Sequence, residues 1–191
     1  AMLKTEPRPL IVFSPKSLLR HPRAASSLGD LVSGSFQPVM DDAVAARDPE
    51  RVRRLVFCSG KAYADLVTSR AWAEAEGVAV LRVEELYPFP AAEAREASAR
   101  YPNASDAVWM QEEPRNMGPW TYVAPRLIPL LAPRMPLRYV GRAESASTAE
   151  GSLRQHTIEQ ARILTEALRD IPPMPSSPDD ARIRNEVAHA R

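Results

Sequence analysis

The chain has 191 residues, of which 45% are hydrophobic and 26% are charged. These values are ordinary for a soluble globular protein, and they exclude a mainly disordered or collagen-like chain. The net charge of +1 gives no global field that would attract nucleic acid or a membrane. The single cysteine, Cys58, excludes an intrachain disulfide. We therefore expect a cytoplasmic protein with no nucleic-acid or membrane partner.

Short apolar runs, rich in β-branched residues, predict five β-strands along the chain. The runs are residues 10–13, 54–58, 78–83, 107–110 and 137–140. Segments with helical spacing of apolar residues separate or follow these runs. They are residues 23–32, 62–76, 91–100, 120–131 and 152–168.

This alternation of strands and helices predicts an α/β fold. Parallel strands joined by right-handed helical crossovers place helices on both faces of the sheet. We expect a doubly wound, mainly parallel five-stranded sheet over residues 1–170, and one antiparallel edge strand is compatible with the pattern. Residues 171–191 are Pro-rich and polar, and they are expected to form a flexible tail.

Residues 111–120 connect a predicted buried strand to a predicted helix. Such loops lie at the carboxyl edge of an open α/β sheet, where ligands and partner surfaces are usually met. The loop contains an amide, two carboxylates, a guanidinium and two prolines. By composition alone, a solvated turn that caps the helix is the more common explanation.

Three cations, Lys16, Arg20 and Lys61, follow the first two predicted strands. If those strands are parallel, their loops converge on one edge, where helix amino-termini add exposed N–H groups. The pattern is compatible with a phosphate or carboxylate site. Lysines and arginines that simply solvate the loops are the alternative.

The sequence offers no catalytic, cofactor-binding or metal-binding residues. Cys58 ends an apolar strand and is predicted to be an inert buried thiol. The three histidines show no ligand spacing, and His156 is interpreted as a surface or packing residue. No phosphate-loop or dinucleotide-binding glycine pattern is present.

Five motifs together carry a more specific signal. They are SPKSLLRHP at 14–22, CSGKAY at 58–63, VEELYPFP at 83–90, QEEP at 111–114 with Asn116, Gly118 and Trp120, and RYVGR at 138–142 with SAS at 145–147. In this order, and over residues 8 to about 168, the chain resembles the C-terminal domain of the thiamine-dependent 2-oxoglutarate dehydrogenase component.

The resemblance implies a transketolase-type C-terminal domain of an enzyme that decarboxylates 2-oxoglutarate. It also implies thiamine diphosphate and Mg²⁺ in the parent enzyme, bound by upstream domains, and succinyl transfer to a lipoyl carrier. The implied partners are those upstream domains, a second copy in a homodimer, the lipoyl domain and the dihydrolipoyl succinyltransferase. Because the upstream motifs are missing, we interpret the chain as a fragment or split portion that is catalytically silent alone.

In this family the domain supports the dimer, and in some members it holds a regulatory acetyl-CoA or nucleotide site. Transferred by motif, that site consists of Ser14, Lys16, Arg20, Lys61, Gln111 and Arg142. The interface or active-site-rim loop consists of Glu112, Glu113, Asn116 and Trp120. The alternative function is a stand-alone anion- or nucleotide-binding module with the same fold.

Overall fold

The computed structural model describes Pro9 and residues 11–172. The chain divides between Phe36 and Gln37 into two compact units. The single domain over residues 1–170 stays a prediction. The predicted tail, residues 171–191, lies outside the described residues from position 173 onward.

The first unit contains short helical turns. Two 3-10 helices span Lys16–Leu18 and Pro22–Ala24, and helix α1 spans Leu28–Ser33. A capping box begins α1, since the Asp30 N–H donates to Ser27 Oγ and the Ser27 N–H donates to the Asp30 carboxylate. The hydrogen bonds from Ser27 lower the pKa of Asp30. The predicted helix at 23–32 therefore begins later than expected.

The prediction of a strand at 10–13 was wrong. Residues 11–13 form no strand, and Ile11, Val12 and Phe13 are 77, 73 and 96% exposed. Flanking prolines at positions 9 and 15 cannot donate to a strand ladder. An apolar run of four residues is also too short to show a period, so its pattern does not distinguish a strand from an irregular segment.

The second unit contains the five-stranded sheet. Its strands are β1 (Val39–Met40), β2 (Arg54–Cys58), β3 (Val78–Val83), β4 (Asp106–Pro114) and β5 (Leu137–Arg142). They lie in the order β1-β3-β2-β4-β5. Strands β3, β2, β4 and β5 pair in parallel, and β1 pairs antiparallel with β3 at the edge. The antiparallel edge strand thus lies outside the five runs that were predicted to be strands.

The helices of this unit cover both faces of the sheet. They are α2 (Lys61–Val67), α3 (Arg70–Ala73), α4 (Ala91–Ala99), α5 (Trp120–Leu131) and α6 (Leu153–Leu168). Two further 3-10 helices, Ala45–Arg47 and Pro49–Arg51, precede β2.

Side chains alternate between two hydrophobic layers, as the period of a strand requires. On one face Phe57, Leu81 and Trp109 pack with residues of α4 and α5. On the other face Val56 and Met110 pack with residues of α2 and α6. Burial on both faces explains why these strands are continuous apolar runs.

The helix predicted over 62–76 is interrupted at Thr68 and Ser69. The Thr68 hydroxyl donates to the Ala64 carbonyl at 2.7 Å, and the Ser69 hydroxyl donates to the Leu66 carbonyl at 2.7 Å. Ser69 Oγ then accepts from the Trp72 N–H and begins α3. These hydroxyls end one helix and cap the next because they compete with the backbone for hydrogen bonds.

The doubly wound α/β fold predicted from the sequence is confirmed by this strand order and by the helices on both faces. Helices α5 and α6 lie where they were predicted, to within one residue. Within residues 9 and 11–172, no helix has the length and apolar character needed to cross a membrane.

A buried arginine joins the amino edge of the sheet to the end of α6. Arg54, 1% exposed, donates from Nε to the Asp106 carboxylate at 2.5 Å. Its terminal nitrogens donate to the carbonyls of Ala167, Arg169 and Asp170. Every N–H-bearing nitrogen of this guanidinium therefore has a protein acceptor.

Candidate functional site

Residues 111–120, predicted to connect a strand to a helix, lie at the carboxyl edge of the sheet, where β4 leads into α5. The pairing of β4 with β5 is irregular between Met110 and Pro114. Residues 111–113 therefore leave the regular ladder, as in a β-bulge. Such irregularities redirect side chains at sheet edges.

Gln111 organises this loop from inside. Its side chain is buried, and Oε1 accepts from Trp109 Nε1 at 2.9 Å and from the Trp120 N–H at 3.0 Å. Its Nε2 lies within 3.2 Å of three backbone oxygens, those of Glu113, Pro114 and Met117. The predicted ligand residue thus uses both ends of its amide to fix the loop path.

A second set of contacts ties the loop to the end of β5. Asn116 donates to the Ser145 carbonyl at 2.9 Å and accepts from the Ser145 N–H at 3.1 Å. The Tyr139 hydroxyl donates to the carbonyls of Glu113 and Arg142, at 2.9 and 2.8 Å. Burial, followed by the nearby Glu113 charge, raises the pKa of Tyr139 to about 12, so the hydroxyl keeps its proton.

Trp120 begins α5, and its ring packs on Tyr139 with centroids 5.2 Å apart. Glu113 lies under Gly118, where an added Cβ would come within 2.9 Å of Glu113 Cβ. The predicted rim residues therefore hold the loop together as well as lining its surface.

Three basic side chains surround the Glu112 carboxylate. Lys61 Nζ lies 3.6 Å from it, Arg142 Nη2 lies 3.8 Å from it, and His156 Nε2 lies 4.0 Å from it. Lys61 is the first residue of α2, Arg142 ends β5, and His156 lies in the first turns of α6. We refer to Lys61, Glu112, Arg142 and His156 as the Glu112 cluster.

Arg142 is the buried member of the Glu112 cluster, with 6% of its surface exposed. Its Nη1 donates to the Thr148 carbonyl at 3.4 Å, and its Nη2 lies 3.1 Å from His156 Nδ1. Its Nε has no hydrogen-bond partner and lies 3.7 Å from the Glu150 carboxylate. The guanidinium lines an open pocket of about 460 Å³ beside the start of α6.

Carboxylates accompany these cations. Lys61 forms a close ion pair with Asp65, which also accepts from Gln160 Nε2 at 2.7 Å. Glu150 and Glu113 line the same pocket as Arg142 and Glu112. The carboxyl edge therefore brings Lys61 and Arg142 together, and acidic residues of the same chain neutralise them.

The six residues of the predicted regulatory site lie in both units. Ser14, Lys16 and Arg20 are exposed residues of the first unit, close to one another along the chain. Lys61 and Arg142 lie together in the second unit, joined through Glu112. Gln111 precedes Glu112 but directs its side chain into the loop.

Sequence reasoning assigned His156 to the surface or to packing, and the structure places it in the Glu112 cluster. One signal pointed to this position. Ser152 caps α6, accepting from the Gln155 N–H, and His156 follows the cap by four residues on the first turn. No sequence pattern indicated that this turn faces the end of β5.

Cys58 is buried, and desolvation raises the pKa of its thiol to about 12. An inert neutral thiol is therefore present at the end of β2, as predicted. Among the residues that the structure describes, no group of three or more His, Cys, Asp or Glu side chains is arranged to hold a metal ion.

Comparison with protein families gives one match over most of the chain. A family profile described as 2-oxoglutarate dehydrogenase C-terminal matches residues 25–168.

Curated relatives are similar over nearly the same span. The chain is 47% identical over 171 residues to the 2-oxoglutarate dehydrogenase E1 component of Exiguobacterium sp., covering 88% of this chain and 18% of that protein. It is 44% identical to the same component from Haemophilus influenzae, covering 84% and 17%. It is 45% identical to the 2-oxoglutarate dehydrogenase-like, mitochondrial protein of Pongo abelii, covering 84% and 16%. The chain thus spans less than a fifth of the length of these relatives.

Among solved structures, a split-gene transketolase, described as an inactive beta4 tetramer, is similar with a TM-score of 0.42 and 18% identity. The match covers 62% of this chain and 39% of that chain.

Proposed function

The chain belongs to the 2-oxoglutarate dehydrogenase C-terminal family, and from that premise we propose that it is the C-terminal portion of a 2-oxoglutarate dehydrogenase decarboxylating component. The observation that carries the proposal is 47% identity over 171 residues to an E1 component, together with the family match over 25–168. Residues 58–63, residues 111–120 and Arg142 at the end of β5 lie at one edge of the sheet, where α/β folds place functional loops.

The parent enzyme would decarboxylate 2-oxoglutarate oxidatively and transfer the succinyl group to a lipoyl carrier, as a step of the tricarboxylic acid cycle. Thiamine diphosphate supplies the electron sink for the decarboxylation, with Mg²⁺ holding its diphosphate. We place both on upstream domains and assign no step of that chemistry to residues of this chain. The succinyl acceptors would be the lipoyl domain and the dihydrolipoyl succinyltransferase of the multienzyme complex.

Within that enzyme, this chain would contribute contacts to the upstream domains and to the second copy of a homodimer. The candidate contact loop contains Glu112, Glu113, Asn116 and Trp120. The rigidity of this loop supports the proposal. The Gln111 side chain makes five polar contacts and the Asn116 side chain makes two, and together they hold the loop in one conformation. A preorganised loop loses little conformational entropy when it meets a partner surface.

We also propose a regulatory site for an acetyl-CoA-like or AMP-like ligand at Lys61, Gln111 and Arg142 of the second unit. The other predicted members, Ser14, Lys16 and Arg20, belong to the first unit and stay a prediction from the motifs. Two facts support it in the second unit. Lys61 and Arg142 approach one carboxylate, and Arg142 keeps an unpaired Nε beside a pocket. In this site Gln111 acts indirectly, by fixing the backbone that carries Glu112. A cytoplasmic location is part of the proposal, and it is supported by the use of a single cysteine.

The test of the enzyme assignment is reconstitution. The upstream thiamine-binding portion is co-expressed with and without this chain, and 2-oxoglutarate decarboxylation is measured. We expect activity only when both parts are present. Equal activity without this chain would contradict the assignment, and a chain that still binds AMP in that case would favour a stand-alone nucleotide-binding module.

The test of the regulatory site is a calorimetric titration of acetyl-CoA, and separately of AMP, into the folded chain. We expect saturable binding that weakens with added salt, because screening reduces attraction between the cations and the phosphates. Absence of binding heat at millimolar ligand would contradict the regulatory site. The enzyme assignment would not be affected, because the reconstitution experiment tests it separately.

A further inference from the structure

The Glu112 carboxylate is surrounded by three basic side chains but forms no hydrogen bond with them. Its distances to Lys61, Arg142 and His156 are 3.6, 3.8 and 4.0 Å, all beyond hydrogen-bond range. The Glu112 side chain is also 29% exposed, so a rotation about its own bonds can carry the carboxylate into water. Such a contact gains modest Coulomb energy and is readily exchanged.

Arg142 shows that the cluster is incompletely satisfied. The Arg142 side chain is 7% exposed, and its Nε is buried with no hydrogen-bond acceptor. Leaving a buried donor unpaired is costly, and such groups in folded proteins call for a specific explanation. An oxygen-rich anion bound in the pocket would supply acceptors that Glu112 and Glu150 fail to provide at 3.8 and 3.7 Å.

The local charge allows an anion to enter only by exchange. Lys61 and Arg142 carry two positive charges, whereas Asp65, Glu112 and Glu150 carry three negative charges. A phosphate added to this arrangement would meet an excess of negative charge. Moving the Glu112 carboxylate out leaves Asp65 and Glu150 against Lys61 and Arg142, two charges of each sign, and it removes the negative charge that both cations approach.

We propose that Glu112 is a resident counter-ion, and that a phosphate-bearing ligand binds Lys61, Arg142 and His156 by displacing its carboxylate. This inference rests on the regulatory site proposed above and adds His156 to it. Because Glu112 belongs to the rim loop, its displacement changes the charge that this loop presents. Ligand binding at the cluster and the surface of the loop are thereby coupled.

The test compares two variants that remove the same charge. In Glu112→Gln the resident counter-ion is lost. In Glu144→Gln the charge is lost from an exposed side chain on the neighbouring loop, outside the Glu112 cluster. Inorganic pyrophosphate is titrated into each variant and into the wild-type chain by calorimetry at low and at physiological ionic strength.

We expect Glu112→Gln to bind pyrophosphate about fivefold more tightly than the wild type, the upper range for one partly exposed ion pair. The gain should shrink at higher salt, and Glu144→Gln should bind like the wild type. Binding by Glu112→Gln alone, with none by the wild type, also supports displacement. Equal or weaker binding by Glu112→Gln overturns it.

Two outcomes separate this inference from the site on which it rests. If the wild type binds pyrophosphate and Glu112→Gln gains nothing, the anion site stands and the counter-ion role fails. If no variant binds, both fail. Lys61→Met, a substitution at the first residue of α2, should weaken binding in the wild-type and the Glu112→Gln backgrounds alike, and unchanged binding in both would also overturn the proposal.

Discussion

Two arginines occupy opposite edges of the same sheet, and their environments differ. Arg54 begins β2 at the amino edge and directs its donors to a carboxylate and three carbonyls, at 2.5 to 3.1 Å. Arg142 ends β5 at the carboxyl edge, with carboxylates only at 3.7 and 3.8 Å and with Nε unpaired. Both are buried, so exposure does not explain the difference.

The difference separates a structural role from a binding role. A buried guanidinium whose three nitrogens all have protein acceptors has little capacity left for a ligand, and its removal leaves charges and carbonyls unpaired. A buried guanidinium with a free donor beside a pocket retains that capacity. A buried arginine whose nitrogens all have protein acceptors therefore has a structural role, whereas one with a nitrogen left unpaired is a candidate for ligand binding.

The largest expected effect comes from breaking the amino edge. Arg54→Met keeps an apolar stem but leaves Asp106 buried without its main partner, so we expect the free energy of unfolding to fall by about 3–5 kcal/mol. Urea denaturation measures this free energy.

The matched control is Arg138→Met, because Arg138 also contacts Asp106, at 3.2 Å, but its side chain is 45% exposed. That variant should lose less than about 1 kcal/mol. Similar losses of unfolding free energy in the two variants would contradict the structural role of Arg54.

The carboxyl edge has its own structural residue, Gln111. We expect Gln111→Ala to cost about 2–4 kcal/mol, because it leaves Trp109 Nε1 and the Trp120 N–H without their acceptor. Urea denaturation followed by tryptophan fluorescence measures the change near these two rings. Gln155→Ala, at an exposed position of α6, should be nearly neutral. A neutral Gln111→Ala would show that the loop is held in some other way.

Close packing at the end of β5 predicts a smaller effect. In Gly141→Ala the new Cβ would lie 2.3 Å from the Tyr139 hydroxyl and 3.0 Å from the Gln111 carbonyl oxygen. We expect a loss of about 1–3 kcal/mol, typical of overpacking, by urea denaturation. Gly151→Ala is the control, since nothing lies within 4 Å of its added Cβ. Equal stability of the two variants would mean that the Tyr139 side chain moves away from the new Cβ with no loss of stability.

The smallest effect at neutral pH concerns Cys58, at the end of β2. Because burial raises the pKa of the thiol from 9.0 to about 12, the native protein should not react with a disulfide reagent at pH 8, whereas the unfolded chain should react fully. The stability due to the neutral thiol is present below pH 9.0 and is lost as the pH rises toward 12. Rapid labelling of the native chain at pH 8 would contradict this burial.

Sequence patterns were sufficient for the central sheet and its longest helices. Strands β2, β3 and β4 contain apolar runs that are buried on both faces, and α5 and α6 carry helical spacing over 12 and 16 residues. Strand β1 was missed because two residues cannot display a period. Its pairing with β3 is a tertiary contact that no local pattern reports.

The candidate site was predictable only in part. Parallel strand order implied that Lys61 and residues 111–120 meet at one edge, and Lys61 Nζ lies 3.6 Å from the Glu112 carboxylate there. The sequence did not show that Gln111 turns inward, since an amide satisfies buried backbone groups as readily as it binds a ligand. The sequence also did not show that the Glu112 carboxylate lies between Lys61 and Arg142. Local patterns do not report which side chains of different strands and helices contact each other.

The paired hydrogen bonds between Asn116 and Ser145 have a consequence for chemical ageing. Deamidation of Asn116 would replace its donating NH₂ by a carboxylate oxygen, directly facing the Ser145 carbonyl now 2.9 Å away. Two acceptors would then oppose each other, so one of the two hydrogen bonds between Asn116 and Ser145 would be lost. A preparation stored at alkaline pH would accumulate molecules that lack this hydrogen bond.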